Sequence, residues 1–200
     1  MGSLVLTGDT SGSVTVAVPA VAGTNTFTIP AVTGTAVVAG QNSAITSSTA
    51  VASTSGTSID FTSIPSWVKR ITVMFNGVSL SGTAAFLIQL GTSGGIETTS
   101  YKSQTYYGGG SAGGSTSGFT AGIPAGGGGG ANTYHGSYVI CLVSSNTYVG
   151  SGVLAVLDNN TGVSMAGGSK STASVVTTVR ITTTNGTDTF DAGSINILYE

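Results

Sequence analysis

Apolar and polar residues alternate with a period of two along much of the chain from residue 57 onward. The clearest run covers residues 68–76, in which Ile71, Val73 and Phe75 share one face. This period is typical of a half-buried β-strand, and no part of the sequence has the period of an amphipathic helix of useful length. Further strands are predicted over residues 85–90, 136–143, 148–157, 173–182 and 190–199.

The same alternation predicts which side chains face the core. These inward positions are Phe86, Ile88, Leu90, Tyr138, Ile140, Leu142, Val175, Val179, Ile181, Ile195, Ile197 and Tyr199. Turn-forming residues such as Thr184-Asn185-Gly186 separate the short strands. Short strands with frequent turns favour an antiparallel sandwich. We therefore predict an all-β chain in which residues 57–200 form a jelly-roll-like β-sandwich head.

Residues 1–40 are predicted to form a separate arm. Within it the segment Val18-Pro-Ala-Val-Ala-Gly-Thr24 returns, imperfectly, as Ile29-Pro-Ala-Val-Thr-Gly-Thr35. Each copy follows a short alternating run, and its proline ends a strand before a glycine turn. A few small strands cannot bury both faces alone, so partner chains must cover them. The positions predicted to make this contact are Val14, Val16, Val18, Phe27 and Ile29.

Two segments lack any hydrophobic period. Residues 41–56 are rich in Ser and Thr and are predicted to be a connector. Residues 108–131 are rich in glycine and interrupt the strand pattern of the head. This second segment fits either a flexible tether or a packed set of glycine turns that presents side chains to a target.

Aromatic residues at the edges of the glycine-rich segment favour the second alternative. Aromatic rings give large, rigid contact faces at a low entropic cost. We therefore predict that they form a rim that binds a receptor or a glycan. The predicted rim consists of Tyr106, Tyr107, Phe119, Tyr134 and His135.

The scarcity of ionisable groups narrows the possible functions. The chain has 5 Lys and Arg, 7 Asp and Glu, 1 His and 1 Cys in 200 residues. Most active sites need more groups that titrate or attack, so we expect no enzyme. The scattered basic residues form no stripe for phosphates, so no nucleic-acid partner is expected. So few charges oppose self-association only weakly, which indicates a chain that works within an oligomer or a larger particle.

Individual candidate residues have simpler interpretations. Asp188 and Asp191 are close enough in sequence to suggest a glycosidase pair, but turn formation explains them better. His135 has no second His or Cys near it, and we predict neither a metal nor a cofactor. Cys141 lies among apolar residues and is predicted to be a buried, inert thiol. Trp67 is predicted to plug one end of the sandwich. No signal peptide or membrane insertion is expected.

Two stretches carry a resemblance to bacteriophage proteins. Residues 12–35 look like the short β-repeats that precede the distal domain of tail-fibre proteins. Residues 59–78, continuing to residues 87–91, are similar to the start of a β-sandwich domain in phage fibre and tail proteins. Together these stretches cover about a quarter of the chain.

The resemblance implies a short tail fibre located in the virion. Such proteins are typically homotrimers with intertwined chains, anchored to other virion proteins and ending in a knob that touches the host surface. The implied target of the head is therefore a host surface glycan or another envelope component. The alternative is a capsid decoration or head-fibre protein, whose arm docks on the shell. A depolymerase is a third class.

Overall fold

The fold was analysed in a computed structural model of the 200-residue chain. The structure describes residues 3–7, 9–17, 20–21, 23–24, 26, 45–108, 111–122, 132–159 and 161–200. In these residues the chain is all-β, with antiparallel pairing throughout and no helix, as the alternating pattern predicts. It divides into two compact units, Met1–Ala36 and Val37–Glu200.

The first unit contains one described hairpin. Strand β1 (Ser3–Thr7) pairs with β2 (Ser13–Ala17). The second unit contains β3 (Thr46–Ser47), β4 (Val51–Ala52), β5 (Ile59–Phe61), β6 (Arg70–Leu80), β7 (Phe86–Thr92), β8 (Gly95–Ile96), β9 (Lys102–Tyr107), β10 (Ser111–Ser115), β11 (Phe119–Gly122), β12 (Asn132–Ser144), β13 (Thr147–Asp158), β14 (Gly162–Ser171), β15 (Thr178–Thr183) and β16 (Phe190–Tyr199).

The second unit is a sandwich of two unequal sheets. It includes the predicted head, residues 57–200, and we call the whole unit Val37–Glu200 the head from here on. The large sheet has the order β10-β9-β14-β13-β12-β6-β16-β3, with β4 also paired to β16. The small sheet has the order β11-β7-β15-β5, with β8 paired to β7. The chain crosses repeatedly between the sheets, so neighbours in sequence contribute to both walls of the core.

The core lies between the two sheets, where alternating residues meet. Phe86 of the small sheet contacts three rings of the large sheet, with centroid distances of 5.4 Å to Phe75, 4.9 Å to Tyr134 and 6.2 Å to Phe190. Such pairs of aromatic rings stabilise the fold beyond the contribution from burying their surface. The predicted inward positions are confirmed as buried at Phe86, Ile88, Leu90, Tyr138, Ile140, Val179, Ile181, Ile195 and Ile197.

A few inward predictions were wrong or only partly right. Val175 is 42% exposed, because β15 begins at Thr178 and the residues before it do not join the sheet. Leu142 and Tyr199 are only partly buried at the end of the core. Trp67 packs beside them, with its ring 6.0 Å from that of Tyr199, so it covers the end of the core.

The predicted connector is, from residue 45 onward, part of the large sheet. Strands β3 and β4 both pair with β16. Ser53 is fully buried, its amide donates to the Gly193 carbonyl at 3.0 Å, and its hydroxyl donates to the Ala192 carbonyl at 2.7 Å. Backbone pairing needs no apolar side chain, which is why the Ser/Thr composition did not indicate it.

The predicted glycine-rich loop contains two strands, which corrects its description as a single loop. Strand β10 pairs with β9, and β11 pairs with β7 of the small sheet. A Cβ atom on Gly114 would lie 2.8 Å from the Ser103 carbonyl oxygen, so this strand needs glycine to approach its neighbour. Residues 109–110 and 123–131 lie outside the described residues.

A buried ion pair joins β14 to the segment after β8. Lys170, 4% exposed at its side chain, lies with Nζ 2.7 Å from Oε2 of Glu97. It also donates to the Thr99 carbonyl at 3.0 Å and lies 5.1 Å from the centre of the Tyr101 ring. Burial by itself raises the pKa of Glu97, but Lys170 and the amide of Ala173 outweigh it, so the pKa is lowered from 4.5.

Candidate functional site

The aromatic residues predicted to form a binding rim do not share one surface. Successive residues of a strand point to opposite faces. Tyr106 is therefore 46% exposed on the outer face of the large sheet, whereas Tyr107 is 7% exposed and faces the core. The neighbours Tyr134 and His135 divide in the same way, with Tyr134 buried and His135 half-buried on the outer face.

The buried rings are core residues, which corrects their assignment to a receptor contact. Tyr107 donates its hydroxyl to the Thr161 carbonyl at 3.0 Å. Phe119 is fully buried, and its ring packs edge-on against Tyr101 at 5.2 Å. Burial, with a smaller effect of Tyr107, raises the pKa of Tyr134 above its ordinary value. These three side chains cannot touch a ligand without unfolding the head.

His135 lies at an irregularity of the large sheet. The pairing of β12 with β6 shifts register between Tyr134 and Gly136. Gly77, with a φ of 63°, donates its amide to Nδ1 of His135 at 3.2 Å. This contact requires Nδ1 to carry no hydrogen. His135 therefore has a local structural partner at the shift.

The outer face of the large sheet carries a set of exposed apolar side chains that we call the outer patch. The outer patch consists of Tyr106, Val153, Leu157, Val163 and Met165. Met165 pairs with both Tyr106 and Val153 across neighbouring strands, so these side chains adjoin. Sequence analysis found Tyr106 but missed the rest, because it did not predict β14 and assigned no face to the apolar residues of β13.

A second candidate surface lies at the β9–β10 hairpin, and most of the side chains that line it carry a polar group. A depression of about 440 Å³ there is lined by Tyr101, Lys102, Ser103, Gly114, Ser115 and Thr116. We call it the hairpin depression. The Ser103 hydroxyl accepts from the Thr120 amide at 2.8 Å, and the Ser115 hydroxyl accepts from the Ser117 amide at 3.0 Å. Each hydroxyl is thereby positioned and retains a hydrogen to donate.

The β1–β2 hairpin exposes apolar side chains to an unusual degree. Leu4 is 59% exposed, Leu6 54% and Val16 52%, and Leu4 pairs directly with Val16. Val14 lies on β2 opposite Leu6 in the register. The other residues predicted to make contacts between chains, Val18, Phe27 and Ile29, lie outside the described residues.

Several acidic side chains elsewhere in the head make contacts within the fold. Asp188 accepts from the amide of Ala84 at 2.8 Å, and Asp191 accepts from the hydroxyl of Ser79. Asp60 forms a two-contact ion pair with Arg180, at 2.8 and 2.7 Å. Among the described residues no group of three or more His, Cys, Asp or Glu could hold a metal. No helix in this part of the chain is long and apolar enough to cross a membrane.

Cys141 is only partly buried, which corrects the prediction of a buried thiol. It pairs with Arg70 on β6 and Val149 on β13, and Val149 is 43% exposed. The apolar neighbours of Cys141 in sequence occupy alternating faces, so an apolar environment in sequence did not mean burial.

Comparison with known proteins gives no match: no family model, no curated protein and no solved structure matches this chain.

Proposed function

We propose that this chain is a non-enzymatic structural protein that works as a homotrimer, as a short virion fibre of the phage tail-fibre kind. Its N-terminal arm joins the copies and anchors them to another virion protein, and its head faces the host surface. The resemblance of residues 12–35 and 59–78 to phage fibre proteins supports this class.

The observation that carries the proposal is the apolar surface of the β1–β2 hairpin. A two-stranded hairpin is marginal in water by itself. Leu4, Leu6 and Val16 are each more than half exposed, so burying them against sister chains supplies the missing stability. Only 6% of the residues of the chain are charged, so little charge repulsion opposes such association.

The mass of the full chain in solution tests this proposal. We expect a particle three times the 19.5 kDa chain mass at micromolar concentration. The double variant Leu4→Ser/Leu6→Ser should shift this particle to single chains. The substitutions remove the apolar contact and change no residue of the head. Val175→Ser, which replaces an exposed apolar side chain of the head by serine, is the control and should remain trimeric. A native chain of single mass, or a trimeric double variant, would contradict the proposal.

Within this function, the hairpin depression is the surface of the head that best suits a glycan. Its positioned hydroxyls match the donors and acceptors of a sugar, and Lys102 lies in its lining. On a glycan array, Lys102→Ala/Thr116→Ala should bind at least about tenfold more weakly than the native chain, as expected for the loss of more than one hydrogen bond. Lys69→Ala, the same charge change at another exposed site, should bind normally; equal loss in both variants would exclude this depression.

A further inference from the structure

The outer patch is an exposed apolar surface that the fold itself does not use. Its side chains are 42–51% exposed and lie on the adjacent strands β13, β14 and β9. The core needs none of them, since the opposite face of each strand already packs against the small sheet. Contiguous exposed apolar patches of this kind mark interaction surfaces.

The chemistry of the surroundings restricts the partner. The cross-strand neighbours of the patch are uncharged: Val153 pairs with Ser137, Leu157 with Thr133, Val163 with Ala155, and Tyr106 with Ala112. The carboxylate of Asp158, at the end of β13, accepts a hydrogen bond from the Thr133 hydroxyl. None of these paired side chains offers a charge to an acidic or basic ligand. A flat, pleated face with small neutral neighbours instead suits a second neutral sheet or strand surface. The chain itself, with 6% charged residues, provides such a surface.

The size of the outer patch argues in the same direction. Five side chains about half exposed amount to roughly 400 Å², which is within the range of functional patches. A stable interface needs about 800 Å² from each partner. The outer patch is therefore too small to hold two chains together by itself, and it suits a contact between copies that another surface already joins.

We infer that the outer patch packs against a second copy of this chain in the assembled oligomer. This inference rests on the proposed function only in requiring that copies associate. The arm then brings the chains together, and the patch fixes how their heads contact one another. Tyr106, the exposed member of the predicted aromatic rim, belongs to this contact between copies and not to a receptor site.

Oxidation of Met165 by dilute peroxide, followed by mass spectrometry of the full chain, tests the inference. In a single chain the Met165 side chain is half exposed and should oxidise readily. In the native oligomer we expect its oxidation to be at least tenfold slower than in the monomeric Leu4→Ser/Leu6→Ser variant. Equal rates in an oligomer and in that variant would overturn the inference and leave the trimer itself intact.

A charge placed in the patch gives a second, independent test. Met165→Glu should weaken association of the full chain by at least about 100-fold, because the contact would bury an unpaired carboxylate. Val175→Glu places the same charge on an exposed site of the head outside the patch and should leave association unchanged. Circular dichroism establishes that both variants are folded. If the folded Met165→Glu variant associates as tightly as the native chain, the patch is not the contact and is free for another partner, such as a glycan.

Discussion

Phe86→Ala should lower the free energy of unfolding of the head by about 3–5 kcal/mol, the usual cost of removing a buried aromatic ring. Phe86 is fully buried and lies at the centre of the ring contacts that join the two sheets. Its loss leaves a cavity between Phe75, Tyr134 and Phe190, which belong to three different strands of the large sheet. These strands cannot all collapse to fill it.

Urea unfolding of the full chain at one fixed protein concentration measures this effect, because association contributes to apparent stability. Phe86→Leu retains most of the volume and should cost less than Phe86→Ala. Val175→Ala, at a 42% exposed position, should change stability by less than about 0.5 kcal/mol. A loss below about 1 kcal/mol for Phe86→Ala would show that the sheets do not meet at this ring.

Lys170→Met should destabilise the head by about 3 kcal/mol, near the lower end of the cost of breaking a buried ion pair. The change leaves the Glu97 carboxylate, 18% exposed, without its counterion. It also removes the hydrogen bond to the Thr99 carbonyl. The double variant Lys170→Met/Glu97→Gln should recover much of the loss, because it removes the stranded charge as well.

Arg70→Met is the matched control, since it breaks the pair that Arg70 forms with Glu200 at the surface, where the side chains are 50% and 32% exposed. Solvent weakens such a pair, and we expect a loss below about 1 kcal/mol. If Lys170→Met and Arg70→Met cost the same, the ion pair of Lys170 does not behave as a buried one.

The same pair should make the head sensitive to acid. The pKa of Glu97 is lower in the folded chain than its ordinary value of 4.5, so the folded state favours the charged carboxylate. The resulting stability is complete above pH 4.5 and is lost as the pH falls through the lower, folded value. As the pH falls from about 5 to about 3, the melting temperature of the native chain should therefore decline more steeply than that of Lys170→Met/Glu97→Gln.

The hydrophobic period was informative wherever one face of a strand was clearly more apolar than the other. Strand β6 shows this, since Ile71, Val73 and Phe75 alternate with polar or flexible residues and are buried as predicted. Strand β14 shows the opposite case. Its residues Ser164 and Lys170 face inward, while Val163 and Met165 face outward, so its alternation did not identify a strand or its inner face.

The candidate sites depended even more on tertiary contacts. The pairs Tyr106-Tyr107 and Tyr134-His135 look like aromatic clusters in sequence, yet pleating sends each pair to opposite faces of the sheet. The outer patch joins residues from β9, β13 and β14, which become neighbours only through strand pairing. The hairpin depression likewise needs the β9–β10 pairing, which the glycine-rich composition concealed.

The amino-acid sequence by itself determined that the chain is all-β, where most of its long strands lie and which residues fill the centre of the core. Alternation and turn residues are local properties, so they can be recognised from the sequence alone. The tertiary structure decided the order of the strands, the pairing of the Ser/Thr-rich segment with β16, and which apolar side chains remain outside. A strand has two faces, and only the sheet packed against it determines which of them becomes the interior.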